Sequence, residues 1–306
     1  MDINYSIIIP HYDIPELLVR CLHSIPVRED IQVIVVDDCS PGSDEYLENI
    51  PELSRPYLEF YSTPKGGSAG RARNIGIEHA KGRWLIFIDS DDLFVQGAFD
   101  LLQSYIDEEA DILYYNYKRV FSNDLTKLSK KWSNADDFIE YEITNDDTKF
   151  RYYDHPIWSK VIKKTLVDKY DIRCDETRYA NDVGFSLKCG IHATNTKIIN
   201  QALFLITERP GSLACAISDG GMTSTEYRIR LGVMIKCQDY INRSIPEKGI
   251  KKYYEAIASM YLHSYHANFL LYLPRVILNY PQIGFDLVCF TTKALFGKIK
   301  RLTAIF

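Results

Sequence analysis

The chain has 306 residues, 46% hydrophobic and 25% charged, with a formal net charge of −5. This is an ordinary globular composition, long enough for one large domain or two modest ones, and it excludes a disordered or short-repeat protein. The charge is uneven: residues 1–224 carry 24 Lys+Arg against 36 Asp+Glu, whereas residues 225–306 carry 12 against 5. An acidic body argues against nucleic acid as the main partner, and a basic tail suggests a contact with something anionic.

In chain order, Ser6-Ile-Ile-Ile-Pro10 reads as a short buried strand. Pro15 at a helix start, with Leu17, Leu18, Cys21, Leu22 and Ile25 at helical spacing, predicts the first helix. Gln32-Val-Ile-Val-Val36 is a second buried strand, followed by a short helix from about Asp44 and a strand over 57–62. A Gly-rich loop, 63–70, leads to a helix over 71–80, with Gly82 as its C-terminal cap. The apolar run Trp84-Leu-Ile-Phe-Ile88 follows, then a helix over about 96–108 and a strand over 111–120. Residues 122–150 are polar and weakly patterned and read as a surface insertion. Helices are predicted over 158–169 and 181–192, with a strand over 197–206, and the pattern beyond Thr225 is helical. Alternating strands and helices in the first half predict an α/β fold on an open parallel sheet.

Two of the buried strands end in acids. Asp37-Asp38 closes one, and Asp89, Asp91 and Asp92 close the run from Trp84. Ligands of open α/β sheets bind off the carboxyl ends of the strands. Asp89 and Asp91, one small residue apart, could converge on a hard cation such as Mg²⁺ or Mn²⁺, which bridges readily to phosphates. The same stretch also suits a solvated acidic turn or an acidic helix cap.

The ordered set SIIIPHY, VIVVDDCS and GSAGRARNIGIEHAKGRWLIFIDSDD resembles the family 2 glycosyltransferases of GT-A fold. The resemblance continues through Trp158-Ser-Lys160 and Thr177–Asp182 to about Gly211, roughly two-thirds of the chain. It implies a catalytic domain over 1–224, with a nucleotide-sugar-binding half (1–120) and an acceptor half (121–224), followed by a helical region over 225–306. It implies that Pro10, His11, Tyr12 and Asp38 hold the base and ribose, and that Arg73 lies near the base or phosphates. The DxD motif maps to Asp89, Ser90 and Asp91 on the donor, where Asp89 would lie toward the ribose and Asp91 would ligate Mn²⁺ or Mg²⁺ on the diphosphate. Arg209 would lie near the diphosphate, and Asp182 would be the catalytic base. The acidic pair usual before that last helix reads Asn181-Asp182 here, so its first acid is missing. Residue by residue, bland alternatives stay open. Asp37 suits a turn, His11 could be a filler, Arg71 and Arg73 could pair with the acidic cluster, and Asp182 could simply cap a helix.

The activity implied is an inverting, metal-dependent transfer of a sugar from a nucleoside diphosphate, UDP first, to a glycan or lipid-linked glycan in cell-surface polysaccharide synthesis. Other classes fit less well. The GGSAG loop lacks dinucleotide-fold spacing, no P-loop motif exists, and a DxD phosphatase leaves VVDDCS and GRARN unexplained. A silent scaffold of the same fold would not need Asp89, Asp91 and Asp182. Seven scattered cysteines without CxxC, and an N-terminus without signal-peptide character, predict free thiols and a cytoplasmic chain. The apolar, basic C-terminal segment is broken by Pro274 and Pro281, so it predicts no spanning helix. It fits packing, a homodimer contact or peripheral attachment to the inner face of the membrane.

Overall fold

The computed structural model describes residues 2–42, 50–129, 135–212 and 222–250, together with Tyr253, Leu278 and Pro281. The chain divides into two compact units, Met1–Asp219 and Gly220–Phe306.

The first unit is a mixed α/β domain built on a nine-stranded sheet. β1 (Tyr5–His11) and β2 (Ile31–Asp37) are buried at every residue, as their unbroken apolar runs require. They pair in parallel with each other, and β3 (Leu58–Ser62) and β4 (Trp84–Phe87) extend the parallel half on either side. Side chains alternate between faces. Ile7, Ile9 and Val33 join one core with Leu18, Cys21 and Leu22 of α1 (Pro15–His23). Ile8, Ile34 and Val36 join the other with Ala72 and Ile77 of α2 (Ala69–His79).

Gly82 is not the cap of α2, whose C-cap is Ala80. A Cβ on Gly82 would lie 2.5 Å from the Ser6 backbone nitrogen, so the residue is needed where the chain crosses closely under β1.

Beyond β4 the topology departs from simple alternation. The acidic turn runs at once into β5 (Leu93–Phe94), a short strand without a sequence prediction, and then α3 (Ala98–Ser104). β6 (Ile112–Phe121) is followed by β7 (Asp124–Leu128), an exposed strand hairpinned onto it. The region read as an insertion thus holds β7, α4 (Ala135–Thr144) and α5 (Thr148–Tyr152). Phe138 and Phe150 anchor those helices in the core, contacts that a polar average conceals.

Residues 158–169 are not one helix. A 3-10 turn (Ile157–Ser159) leads into β8 (Lys160–Lys163), and only α6 (Lys164–Lys169) is helical. β8 lies antiparallel between β4 and β6. The Lys160 ammonium is buried there, donating to the Asp154 carboxylate at 2.7 Å and the Pro156 carbonyl at 2.5 Å. α7 (Val183–His192) and β9 (Thr196–Glu208) complete the domain. β9 runs parallel to β6 and also takes β5 antiparallel, Leu93 opposite Leu205. The end of β9 is thereby brought to the acidic turn after β4.

In the second unit, α8 (Ser224–Ser244) opens on a capping box in which Thr223 and Glu226 satisfy each other's backbone N–H groups. Buried Gln238 donates to the Ile250 carbonyl at 2.8 Å. No helix among the described residues is long and apolar enough to cross a membrane. The helix expected from Asp44 and nearly all of the basic C-terminal segment lie outside the described residues.

Candidate active site

The carboxyl ends of β1, β2 and β4 lie side by side, and the loops leaving them form one edge of the sheet. Pro10 pairs opposite Val36, and the His11 carbonyl accepts the Asp38 N–H at 2.8 Å. His11 is buried, and neither ring nitrogen has a hydrogen-bond partner among the described residues. Burial holds its imidazole below the usual range, against the charges of Asp37 and Asp13, so the ring is neutral at neutral pH. Tyr12 is the opposite case, a residue 55% exposed just past the strand end. Asp37, the last residue of β2, holds the following turn, its buried carboxylate accepting the Ser40 N–H at 2.9 Å and hydroxyl at 2.5 Å. Asp38 faces outward and accepts from Thr63 Oγ1 at 3.1 Å and the Gly67 N–H at 3.0 Å, tying the Gly-rich loop to the end of β2.

The turn after β4 is tight, with the Asp92 N–H donating to the Asp89 carbonyl at 3.0 Å. Its carboxylates have separate partners. Asp89 receives Arg73 Nη2 at 2.5 Å, Asp91 receives Arg209 Nε at 2.9 Å, and Asp92 receives the Thr207 N–H at 2.6 Å. Asp92 is therefore the clasp between this turn and β9, and Ser90 is buried beneath the turn. Burial raises the Asp91 carboxyl above its ordinary value, reinforced by Asp89 and opposed by Arg209. Burial raises Asp92 further still, with the charges of Asp91 and Asp89 adding to it.

Arg73 joins this turn to the segment before α7. Its guanidinium is buried, and Nη1 donates to Asn181 Oδ1 at 2.6 Å while Nη2 holds Asp89. Pairing with the acidic cluster, one of the readings left open, is thus present. Asn74 binds both sides of Cys174, accepting its N–H at 2.8 Å and donating to its carbonyl at 3.1 Å. Gly70 lets α2 approach the same segment, since a Cβ there would lie 2.1 Å from the Asp175 carbonyl oxygen. The start of α2 is a cradle for residues 174–181.

Asp182 follows directly, at the N-cap of α7, but its side chain makes no capping hydrogen bond. A helix start favours the ionised form of a carboxyl group. Burial outweighs it and raises the carboxyl above its ordinary value, with the Arg73 charge opposing. Asp182 is a desolvated carboxylate on the Arg73 side of the site, with no cap to make.

The site also depends on residues without a sequence-level reading. Arg20 of α1 donates to the Asp91 carbonyl at 2.7 Å and to the Ser122 carbonyl at 2.8 Å. Thr207 Oγ1 donates to the Asp91 carbonyl at 2.9 Å. Asn74 stood in the quoted GRARN motif, where its Asn was a findable signal. Arg20 and Thr207 carry no local signal, because their partners are distant in sequence.

With this geometry in view, comparison with known proteins is decisive on class. Residues 6–172 match the model of glycosyl transferase family 2. The chain belongs to that family, and its fold is that of the GT-A glycosyltransferases. Among its relatives, the uncharacterized glycosyltransferase EpsJ of Bacillus subtilis strain 168 is 25% identical over 218 residues, 68% of this chain and 62% of EpsJ. The poly(ribitol-phosphate) beta-N-acetylglucosaminyltransferase TarS of Staphylococcus aureus strain MW2 is 26% identical over 219 residues, 68% of this chain but 36% of TarS. The chain therefore spans less than two-thirds of either relative. The structure of S. aureus TarS 1–349 in complex with UDP-GlcNAc superimposes with a TM-score of 0.64 at 18% identity, covering 93% of this chain and 79% of that one. A mannosyltransferase of Pyrobaculum calidifontis in complex with GDP-Man and Mn²⁺ gives 0.55 at 14% identity, covering 97% and 88%. Its relatives include a poly(ribitol-phosphate) beta-N-acetylglucosaminyltransferase and a minor teichoic acid biosynthesis protein.

Proposed function

We propose that this enzyme moves a sugar, with inversion, from a nucleoside diphosphate to a hydroxyl of a glycan or lipid-linked glycan, UDP being the first nucleotide to test. Synthesis of a cell-surface polymer is the setting that the TarS relationship supports. The observation carrying this reading is the Arg73 bridge, which joins Asp89 of the acidic turn to Asn181, the neighbour of Asp182. The donor-side carboxylate and the residue next to the candidate base thus share one guanidinium.

In this reading the ends of β1 and β2 take the nucleoside. Exposed Tyr12 offers a ring to the base, Pro10 and His11 shape the floor, and Asp38 accepts from the ribose. Asp89 and Ser90 border the sugar, and Arg73 acts from beneath them. Asp91 is the residue for Mn²⁺ or Mg²⁺. Its donor set fits, because a partly exposed carboxylate supplies hard oxygens, and such cations draw remaining ligands from phosphate and water. A bound cation would neutralise charge growing on the leaving diphosphate. Arg209 is the protein's own cation for the same charge. Asp182 takes the proton from the attacking hydroxyl, and its raised affinity for a proton suits that task. One base, with no second carboxylate assigned as nucleophile, gives a single in-line displacement and inversion.

Calorimetry with UDP tests the donor half. The unmutated chain should bind UDP more tightly in Mn²⁺ than in EDTA. Asp91→Asn should weaken the Mn²⁺ value by about tenfold or more and leave the EDTA value nearly unchanged. Equal affinities with and without metal in the unmutated chain would remove the cation from the mechanism.

A further inference from the structure

Asp91 and Arg209 form an ion pair at 2.9 Å, and the two partners differ in how firmly they are held. Asp91 is pinned. Its carbonyl accepts from Arg20 at 2.7 Å and from Thr207 Oγ1 at 2.9 Å, while the next residue, Asp92, clasps the Thr207 N–H. The Arg209 side chain is 27% exposed, and Asp91 is its guanidinium's only hydrogen-bond partner among the described residues. The Asp91 backbone is thus fixed, and among the described residues its carboxylate is the one hydrogen-bond partner of the guanidinium.

A divalent ion and a guanidinium repel when they share a carboxylate, the more so in a partly buried site. The guanidinium cannot relieve this by losing its proton, so it must move. Its planar fork suits a diphosphate as well as a carboxylate. We propose that Arg209 occupies the cation's seat on Asp91 in the unloaded enzyme, and that joint loading of cation and nucleoside diphosphate transfers its guanidinium from the carboxylate to the diphosphate. This rests on the reading of Asp91 as cation ligand. It makes the cation alone a weak ligand and the cation with its diphosphate a strong one, a positive coupling built from one side chain.

The consequence is a pair of effects of opposite sign in one variant. Calorimetry on the full chain would compare MnCl₂ alone with UDP in Mn²⁺, for the unmutated protein, Arg209→Gln, Arg209→Lys and Asp91→Asn. Arg209→Gln should bind Mn²⁺ alone about tenfold more tightly and UDP in Mn²⁺ about tenfold more weakly, within the ordinary range of coupling. Arg209→Lys keeps the charge and should stay close to the unmutated value for Mn²⁺ alone. A merely structural arginine would weaken both ligands when replaced. If Arg209→Gln binds Mn²⁺ alone no more tightly than the unmutated chain, while Asp91→Asn abolishes that binding, the exchange is wrong and the cation reading stands. If Asp91→Asn leaves Mn²⁺ binding intact, the ion does not sit on Asp91 and both ideas fall.

Discussion

Asp182 is an expensive residue to keep where it is. Its carboxylate is buried enough to be raised above its ordinary value, caps no N–H of α7, and is moderated chiefly by the charge of Arg73. A raised carboxyl holds its proton to higher pH, so a base of this kind loses activity as pH falls through its raised value. The acid limb of turnover should therefore lie above the ordinary carboxylate range near 3.9. Arg73→Gln removes the positive charge that opposes the shift, and should move that limb to still higher pH. A pH profile of donor turnover for the two proteins checks this. A limb that stays in place would mean that Arg73 does not act on the titrating group.

At the scale of elements, the start of α2 does the most to assemble the site. Gly70 approaches the Asp175 carbonyl, Arg73 holds Asn181, and Asn74 binds Cys174 on both sides. A methyl group on Gly70 would sit 2.1 Å from a backbone oxygen, so the segment before Asp182 would have to retreat. Gly70→Ala should cost about 1–3 kcal/mol of stability by overpacking and lower turnover with it, while UDP affinity changes little. Denaturant unfolding and calorimetry measure both. Strands buried on two faces, such as β1, β2 and β4, were legible from their unbroken apolar runs, and those of β2 and β4 also stop at acids. β8 was not legible. Its four residues begin and end in Lys, and buried Lys160 depends on Asp154 and Pro156, which no local pattern signals. β5 is two residues long and exists through its pairing with β9, a contact of long sequence separation. In the site, Asp89 and Asp91 stood out as charges at a strand end, whereas Arg73 and Asp182 were carried by the resemblance to family 2 glycosyltransferases. Thr207 and Arg20 had neither signal, because their work is done on backbone atoms far along the chain.

At the scale of the whole molecule, an acidic α/β unit and a second unit opening on α8 account for the described residues. Family membership rests on residues 6–172, which include the acidic turn but end before Asp182 and Arg209. The proposed base and the proposed diphosphate cation thus lie beyond the residues that carry the family match. Asn keeps the size and shape of Asp, and Asp182 makes no capping bond to lose, so Asp182→Asn separates a base from a structural residue. Thermal unfolding and UDP calorimetry on this variant would confirm an intact fold and donor site. The decisive measurement is its turnover of the nucleotide sugar that the unmutated enzyme uses. The account predicts unchanged stability and UDP affinity, with turnover lower by about 10²–10⁴-fold. Turnover close to that of the unmutated enzyme would contradict it and leave the base to be sought at Asp175 or Glu176.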